Sequence, residues 1–396
     1  MKKLVLIYCL IIGIQLFSQD TLRVMYHNLL NFPSFQPERV DSLRIILNYT
    51  QPDVYVVNEL ESAVGADLIL NNALNSFGTS NYERATFYDG YDTDNGFFYN
   101  SDKLGLVSQM QIGTSLRDIS EYVMYYKSPN YTATSDTVYL HFFSCHLKAG
   151  SADYEQRKQE ALQVKYYLND ISDKVQNVFV GGDFNFYSGY ESGCQTLLNF
   201  GSVPLFDPVN MIGNWSGDWS FASVHTQSTR INALGDGSGG GLDDRFDLIL
   251  VSEDVLNNQH GVSYISNSFK PLGQDGNRFN SSIIAPTNNS VPDSVSNALY
   301  YASDHLPVLM DVKIDQFASF SKIENHYLKV FFESEFQNIN IISSYSNFTF
   351  NLYDSAGRLV LSDQNSALIP CSIDPGIYIW QIDTGESTYS NKLLIP

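Results

Sequence analysis

The chain has 396 residues, 43% hydrophobic and 14% aromatic, enough to build one large core and one small one, which excludes global disorder. Its 23 basic and 43 acidic side chains give a formal net charge of −20, a balance that argues against a non-specific nucleic-acid binder, because neutralising phosphates needs basic surface. Catalysis on phosphates is not excluded, since a bound divalent metal supplies local positive charge.

The first segment reads as a processing signal. Lys2 and Lys3 precede an almost unbroken apolar run from Leu4 to Phe17, and Ser18-Gln19-Asp20 ends it abruptly. The run falls short of the roughly 20 residues that span a bilayer, so residues 1–19 are expected to be an export signal and the chain to have no stable membrane span. Cys9 sits inside the apolar run, which argues against a lipoprotein. Removing the signal leaves 21 basic against 43 acidic residues, −22, on a protein expected to be secreted or held at the cell surface.

Thr21 to Asn28 alternates Leu22, Val24 and Tyr26 against Arg23, Met25 and His27, the period of a strand. From Pro37 to Asn48 the period changes: Val40, Leu43, Ile46 and Leu47 share a helical face, with Pro37 suited to the first turn. Val54 to Glu59, Gly96 to Tyr99, Val138 to His146 and Asn177 to Asp183 read as strands, with an amphipathic helix from Tyr154 to Tyr167 between the last two. Phe246 to Val251 and His305 to Val312 complete the set. This order fits a large α/β domain over residues 20–314, two packed β-sheets flanked by helices. Gly235 to Gly241 lacks the Lys-Ser/Thr of a phosphate loop and reads as a flexible connection. After a linker at 315–325, residues 326–396 show short alternating strands around Ser355-Ala356-Gly357 and Pro375-Gly376, the pattern of a small β-sandwich without catalytic residues. Cys145, Cys194 and Cys371 match no zinc site, and a Cys145–Cys194 bridge and buried free thiols both stay open.

Six apolar runs end or begin in polar side chains: Tyr26-His27-Asn28, Val57-Asn58-Glu59, Ser144-Cys145-His146, Gly182-Asp183-Phe184-Asn185, Arg245-Phe246-Asp247 and Ser303-Asp304-His305. Alone, Asn28 is more often a turn residue and His146 a core histidine. Asp183 and Asn185 are stronger together, since a strand period of two points them the same way. Oxygen ligands such as Glu59, Asn28 and Asp304 suit Mg²⁺, with Mn²⁺ as the alternative, whereas zinc would want Cys or a His cage. Asp247 and His305 supply a carboxylate–imidazole pair of the kind that fixes a tautomer and raises basicity.

Taken in order, these motifs resemble the endonuclease/exonuclease/phosphatase superfamily. The resemblance runs through Leu22–Asn28, Pro52–Glu59, His146–Gly150, Gly181–Asn185, Asp244–Asp247 and Ser303–Val308. It implies a deoxyribonuclease-like four-layer α+β sandwich. It further implies that Glu59 is the main metal ligand, supported by Asn28 and Asp304. Asp183 and Asn185 would position water and phosphate, Asp247 would orient His305, and His146 would stabilise the developing charge, with either Asp183 or His305 as the base. An acidic partner that some nucleases carry in mid-domain has only Asp94 or Asn95 as counterparts. Lys148 and Arg230 are expected phosphate contacts, Arg157 a solvated surface cation, and 225–230 a substrate-facing loop. The tail, through Tyr353–Arg358, Pro375–Tyr378 and Asn391–Ile395, resembles the sorting domain of type IX secretion, implying export machinery as a partner. The expected function is a Mg²⁺-dependent phosphodiesterase acting on nucleic acid, with a phospholipid or inositol-phosphate esterase, or a silent binding module, as alternatives.

Overall fold

The structure is a computed structural model that describes residues 20–34, 38–76, 78–127, 137–315, 328–333, 337–343, 347–385 and 388–395. The expected export signal, Pro37 and all of the expected linker but Asp315 lie outside the described residues. The chain divides into two compact units, residues 1–318 and 319–396. Among the described residues no helix is long and apolar enough to cross a membrane.

In the large unit the elements begin β1 (Asp20–Phe32), α1 (Arg39–Thr50), β2 (Val54–Leu60), α2 (Ala63–Leu68), β3 (Tyr82–Arg84), β4 (Asp94–Asn100), β5 (Leu104–Ile112) and β6 (Ile119–Tyr126). They continue with β7 (Tyr139–His146), α3 (Tyr154–Asp170), β8 (Val178–Asp183), α4 (Ser192–Asn199), β9 (Leu205–Phe206), β10 (Asp247–Ser252) and α5 (Glu253–Asn257). β11 (Val262–Tyr264), β12 (Lys270–Pro271), α6 (Asp293–Ala302) and β13 (Val308–Ile314) close the unit. One sheet has the order β11-β13-β1-β2-β4-β3, with β12 also on β13, and the other β5-β6-β7-β8-β10-β9.

Strands buried on both faces read as continuous apolar runs, and here both faces are covered. Val24, Tyr26, Val56, Phe97 and Met310 of the first sheet meet Tyr122, Met124, Phe142, Phe179 and Ile249 of the second in a shared core. Met25, Tyr55, Val57 and Phe98 point the other way, onto Leu43, Ile46 and Leu47 of α1 and Leu299 of α6. Phe143, Val180 and Leu248 pack outward on Ala161, Val164 and Leu168 of α3 and Leu197 of α4. The result is the expected four-layer sandwich, helix on sheet on sheet on helix. Full burial of Leu43, Ile46 and Leu47 contributes roughly 1.5–3 kcal/mol each, so Ile46→Ala would loosen the outer layer. α1 stops at Gln51, whose left-handed backbone (φ 46°) lets its N–H bond the Leu47 carbonyl.

β1 and β2 run parallel, as do β7 and β8, and α1 and α3 are the crossovers such pairs require. Periodicity had not shown the β5–β6 hairpin or α6. Cys145 and Cys194 are both free and buried in the same outer core cluster, so the open alternative resolves to thiols. In the small unit a three-stranded and a four-stranded sheet enclose Ile339, Ile341, Phe350, Leu352, Trp380, Ile382 and Leu393. The expected turn is present: Asp354 accepts the N–H groups of Ala356 and Arg358, and Gly357 takes φ 78°.

Candidate active site

Strand register brings the separate motifs to one edge. Across the parallel pairs Asn28 sits opposite Asn58, and His146 opposite Asp183, while the antiparallel partner of Asp183 on β10 is Asp247. The two sheets are joined here by the Asn28 amide, which donates to Asp183 Oδ2 at 2.9 Å and to Glu59 Oε1 at 2.9 Å. Asn58 Oδ1 accepts the Asp183 N–H at 3.2 Å, and its amide donates to Asn95 and Ser144 beneath the site.

Local backbone aims the side chains. β2 slips register between Val57 and Leu60, and Glu59 takes a left-handed φ of 56°, turning its carboxylate onto the Asn31 N–H at 2.9 Å. Such a conformation in a glutamate costs of order 1–3 kcal/mol, strain of the kind that collects at functional sites. Gly182 has φ 129°, and a Cβ there would lie 2.1 Å from the Cys145 carbonyl oxygen and 2.7 Å from Asn58 Oδ1. Only glycine lets β7, β8 and Asn58 approach so closely. Asn185 does not follow the strand period that was expected to align it with Asp183. β8 ends at Asp183, and Asn185 comes back through a turn (φ 52°) in which its N–H bonds Asp183 Oδ1.

His305 Nδ1 lies 2.8 Å from Asp247 Oδ2, and Nε2 faces Asp183 Oδ2 at 3.7 Å. Burial opposes a charged ring, but Asp247, Asp183 and Asp304 outweigh it and hold the imidazole well above its ordinary value. Burial, aided by Asp247 and Glu59 and opposed by His305 and Asn28, pushes the Asp183 carboxyl up to about 7. Burial also raises Glu59, and burial with the charges of Arg117 and His305 drives His146 well below the usual histidine range. A pocket of about 410 Å³ opens onto these groups, lined also by Arg117, Tyr187, Gln227, Ser238 and Phe246.

Glu59, His146, Asp183, Asn185, Asp304 and His305 line this pocket together, with Asp247 behind His305. Other expectations need correction. The Asn28 oxygen accepts the Leu30 N–H at 2.9 Å, so Asn28 meets the site through its amide nitrogen and clamps two carboxylates. Arg230 is 1% exposed and turned away: Nε donates to the Tyr300 carbonyl and the guanidinium lies over the Tyr300 ring, near the C-terminal end of α6. Lys148 bonds the Ala149 carbonyl and faces Asp153 instead of the pocket. Arg157 is buried, not solvated. It pairs with Glu191 at 2.6 Å and holds the carbonyls of Lys148 and Gly150. Asn95 is an internal hydrogen-bonding residue and Asp94 bonds Gly90, so neither lines the pocket. The glycine-rich segment is a wall of the pocket: Asp236 accepts from Asn31, and the Ser238 N–H donates to Asp304 Oδ2 at 2.6 Å. At Gly237 (φ +86°) a Cβ would sit 2.8 Å from Asp304 Oδ2, so the wall needs glycine for its close approach.

Arg117 was missed as a site residue, while of the expected substrate-facing stretch 225–230 it is Gln227 that lines the pocket. Arg117 pairs with Asp92 at 2.7 Å, and its Nε and Nη1 have no protein partner. It stands in a polar loop before β6, with no apolar run to mark it.

The donor set fits a divalent metal. Atoms of Glu59, His146 and Asp183 lie within 4.8 Å of one another, as do those of Asp183, Asp247 and His305. Across the pocket Asp304 Oδ2 is held by Ser238 and Gln227, while Oδ1 is buried without a partner. Buried carboxylates with raised pKa values and an orphaned oxygen suit a hard cation.

A profile of the Endonuclease/Exonuclease/phosphatase family matches residues 25–305. Among curated proteins none matches the chain. Solved structures with a similar fold include D. rerio TDP2 complexed with single strand DNA product, at 14% identity and TM-score 0.47, covering 74% of this chain and 98% of that one. The human Nocturnin catalytic domain with bound sulfate is 14% identical, TM-score 0.45, over 75% and 97%. The mannosyl-6-phosphatase Bt3783 of Bacteroides thetaiotaomicron is 16% identical, TM-score 0.45, over 74% and 99%. With the profile running from β1 to His305, the chain belongs to the endonuclease/exonuclease/phosphatase family.

Proposed function

We propose that the protein is an exported, Mg²⁺-dependent phosphoesterase that attacks a phosphate ester with water in the 410 Å³ pocket. The observation that carries this is His305 held between Asp247 and Asp183 beside a cluster of metal-competent oxygens. Glu59 and Asp304 would hold the cation. When bound, it supplies charge to the phosphoryl oxygens and acidifies water. His305, kept charged by its carboxylate neighbours, donates through Nε2 to a phosphoryl oxygen. With His305 already protonated, Asp183 is the member of the pair left to accept a proton, which favours it as the base. Asn185 and His146 orient the phosphate, and the guanidinium of Arg117, whose Nε and Nη1 are buried without a protein partner, suits one more oxygen.

The nucleic-acid expectation rests on the motif set. Charge favours a compact ester: among the described residues Arg117 is the pocket's one arginine or lysine and is paired with Asp92, while Asp236 stands in the glycine-rich wall. Export to the cell surface through residues 1–19 and a type IX sorting tail is part of the same reading, supported by the signal pattern and the tail motifs. Release of phosphate or alcohol from plasmid DNA, RNA, sphingomyelin, inositol phosphates and sugar phosphates, with Mg²⁺ and with EDTA, decides the substrate. Hydrolysis that survives both EDTA and Glu59→Gln would refute the metal-dependent assignment.

A further inference from the structure

The polar run 225–230 was expected to face substrate, yet His225, Thr226, Ser228, Thr229 and Arg230 are all buried. Gln227, in their midst, is partly exposed and lines the pocket. Its terminal amide lies 2.6 Å from His305 Nε2 and 3.3 Å from Asp304 Oδ2. Since Nδ1 is taken by Asp247, Nε2 is the ring atom left for a phosphoryl oxygen, and the carboxamide covers it.

The backbone that carries Gln227 is tied on both sides. Its N–H donates to the Asp244 carbonyl at 3.2 Å, and its carbonyl accepts from Asp243 and Asp244 at 3.0 and 3.1 Å. Thr226 Oγ1 takes the N–H groups of Phe246 and Asp247. Ser228 N–H bonds the Gly241 carbonyl, and Thr229 bonds the carbonyls of Asp304 and Ser303. The segment is therefore a strut between the start of β10 and the Ser303–His305 turn, and the side chain of Gln227 is what remains free to move.

We propose that Gln227 guards the phosphoryl site: without substrate its carboxamide covers the Nε2 edge of His305 and bonds Asp304, and an arriving phosphate takes that edge in its place. This rests on the phosphoesterase reading above. Phosphate must displace the carboxamide from its bond to Asp304 Oδ2 and from its contact with Nε2, so removing the carboxamide tightens phosphate binding. A carboxylate at the same place repels the incoming anion.

Inorganic phosphate titrated calorimetrically into the full-length protein with Mg²⁺, beside steady-state hydrolysis of p-nitrophenyl phosphate and bis(p-nitrophenyl) phosphate, tests this. Gln227→Ala should bind phosphate roughly fivefold more tightly, about one hydrogen bond's worth, with KM lowered by a similar factor. Gln227→Glu should weaken phosphate. Weaker phosphate binding by Gln227→Ala, which would make Gln227 a direct ligand, or unchanged affinity and kinetics, would overturn the proposal. If the wild type neither binds phosphate nor cleaves either ester, the phosphoesterase reading falls first and takes this one with it.

Discussion

Replacing Asp247 by Asn tests the centre of the proposed chemistry. Asp247 is 1% exposed and His305 4%, and their Oδ2–Nδ1 contact is 2.8 Å, the geometry of a charge-assisted hydrogen bond shielded from water. Such a bond contributes about 1.5–3 kcal/mol, so if it is realised in the transition state kcat should fall about 10- to 150-fold. Asn keeps the volume and one acceptor oxygen, and the N–H groups of Asp247 and Phe246 stay bonded to Thr226, so the fold should survive. The assay is Mg²⁺-dependent turnover of the best substrate from the panel, with the melting temperature, expected within about 4 °C of wild type, as the folding control. A kcat within threefold of wild type, or a loss confined to KM, would refute the role assigned to this pair.

Three further outcomes follow from the packing. Gly182→Ala forces a Cβ to within 2.1 Å of the Cys145 carbonyl at φ 129° and should cost about 3 kcal/mol in urea unfolding; a loss under about 1 kcal/mol would show that β7 and β8 can part there. Arg230→Ala strips a buried guanidinium from the Tyr300 carbonyl and should destabilise by about 2 kcal/mol while leaving kcat/KM of the folded enzyme within about threefold, and a selective loss of activity would restore its expected role at the phosphate. Lys165 is buried with its ammonium on the carbonyls of Leu197 and Val203, and burial lowers its pKa to about 8 from 10.5. Between these values the unfolded chain binds the extra proton, so the native state gains stability as pH rises. Wild type should therefore gain about 2 kcal/mol on Lys165→Met from pH 8 to pH 10.5, and a flat difference would refute the shift.

The local sequence determined where polar groups terminate apolar strands, because a period of two and a sudden Asn, Glu, Asp or His are both visible within a few residues. That was enough for the two-sheet fold and for Glu59, Asp183, Asp304 and His305 sharing one pocket. Tertiary structure decided the rest, since each remaining fact depends on chain segments far apart in sequence. Asn28 is a clamp because Leu30 takes its oxygen while Glu59 and Asp183 take its nitrogen. Arg230 is structural because α6 brings the Tyr300 carbonyl to it. The glycine-rich segment walls the pocket because Asn31 and Asp304 hold it there. Arg117 and Gln227 reach the site from a loop and a strut whose sequences carry no period at all, and only the packing of these segments around the pocket shows what they face.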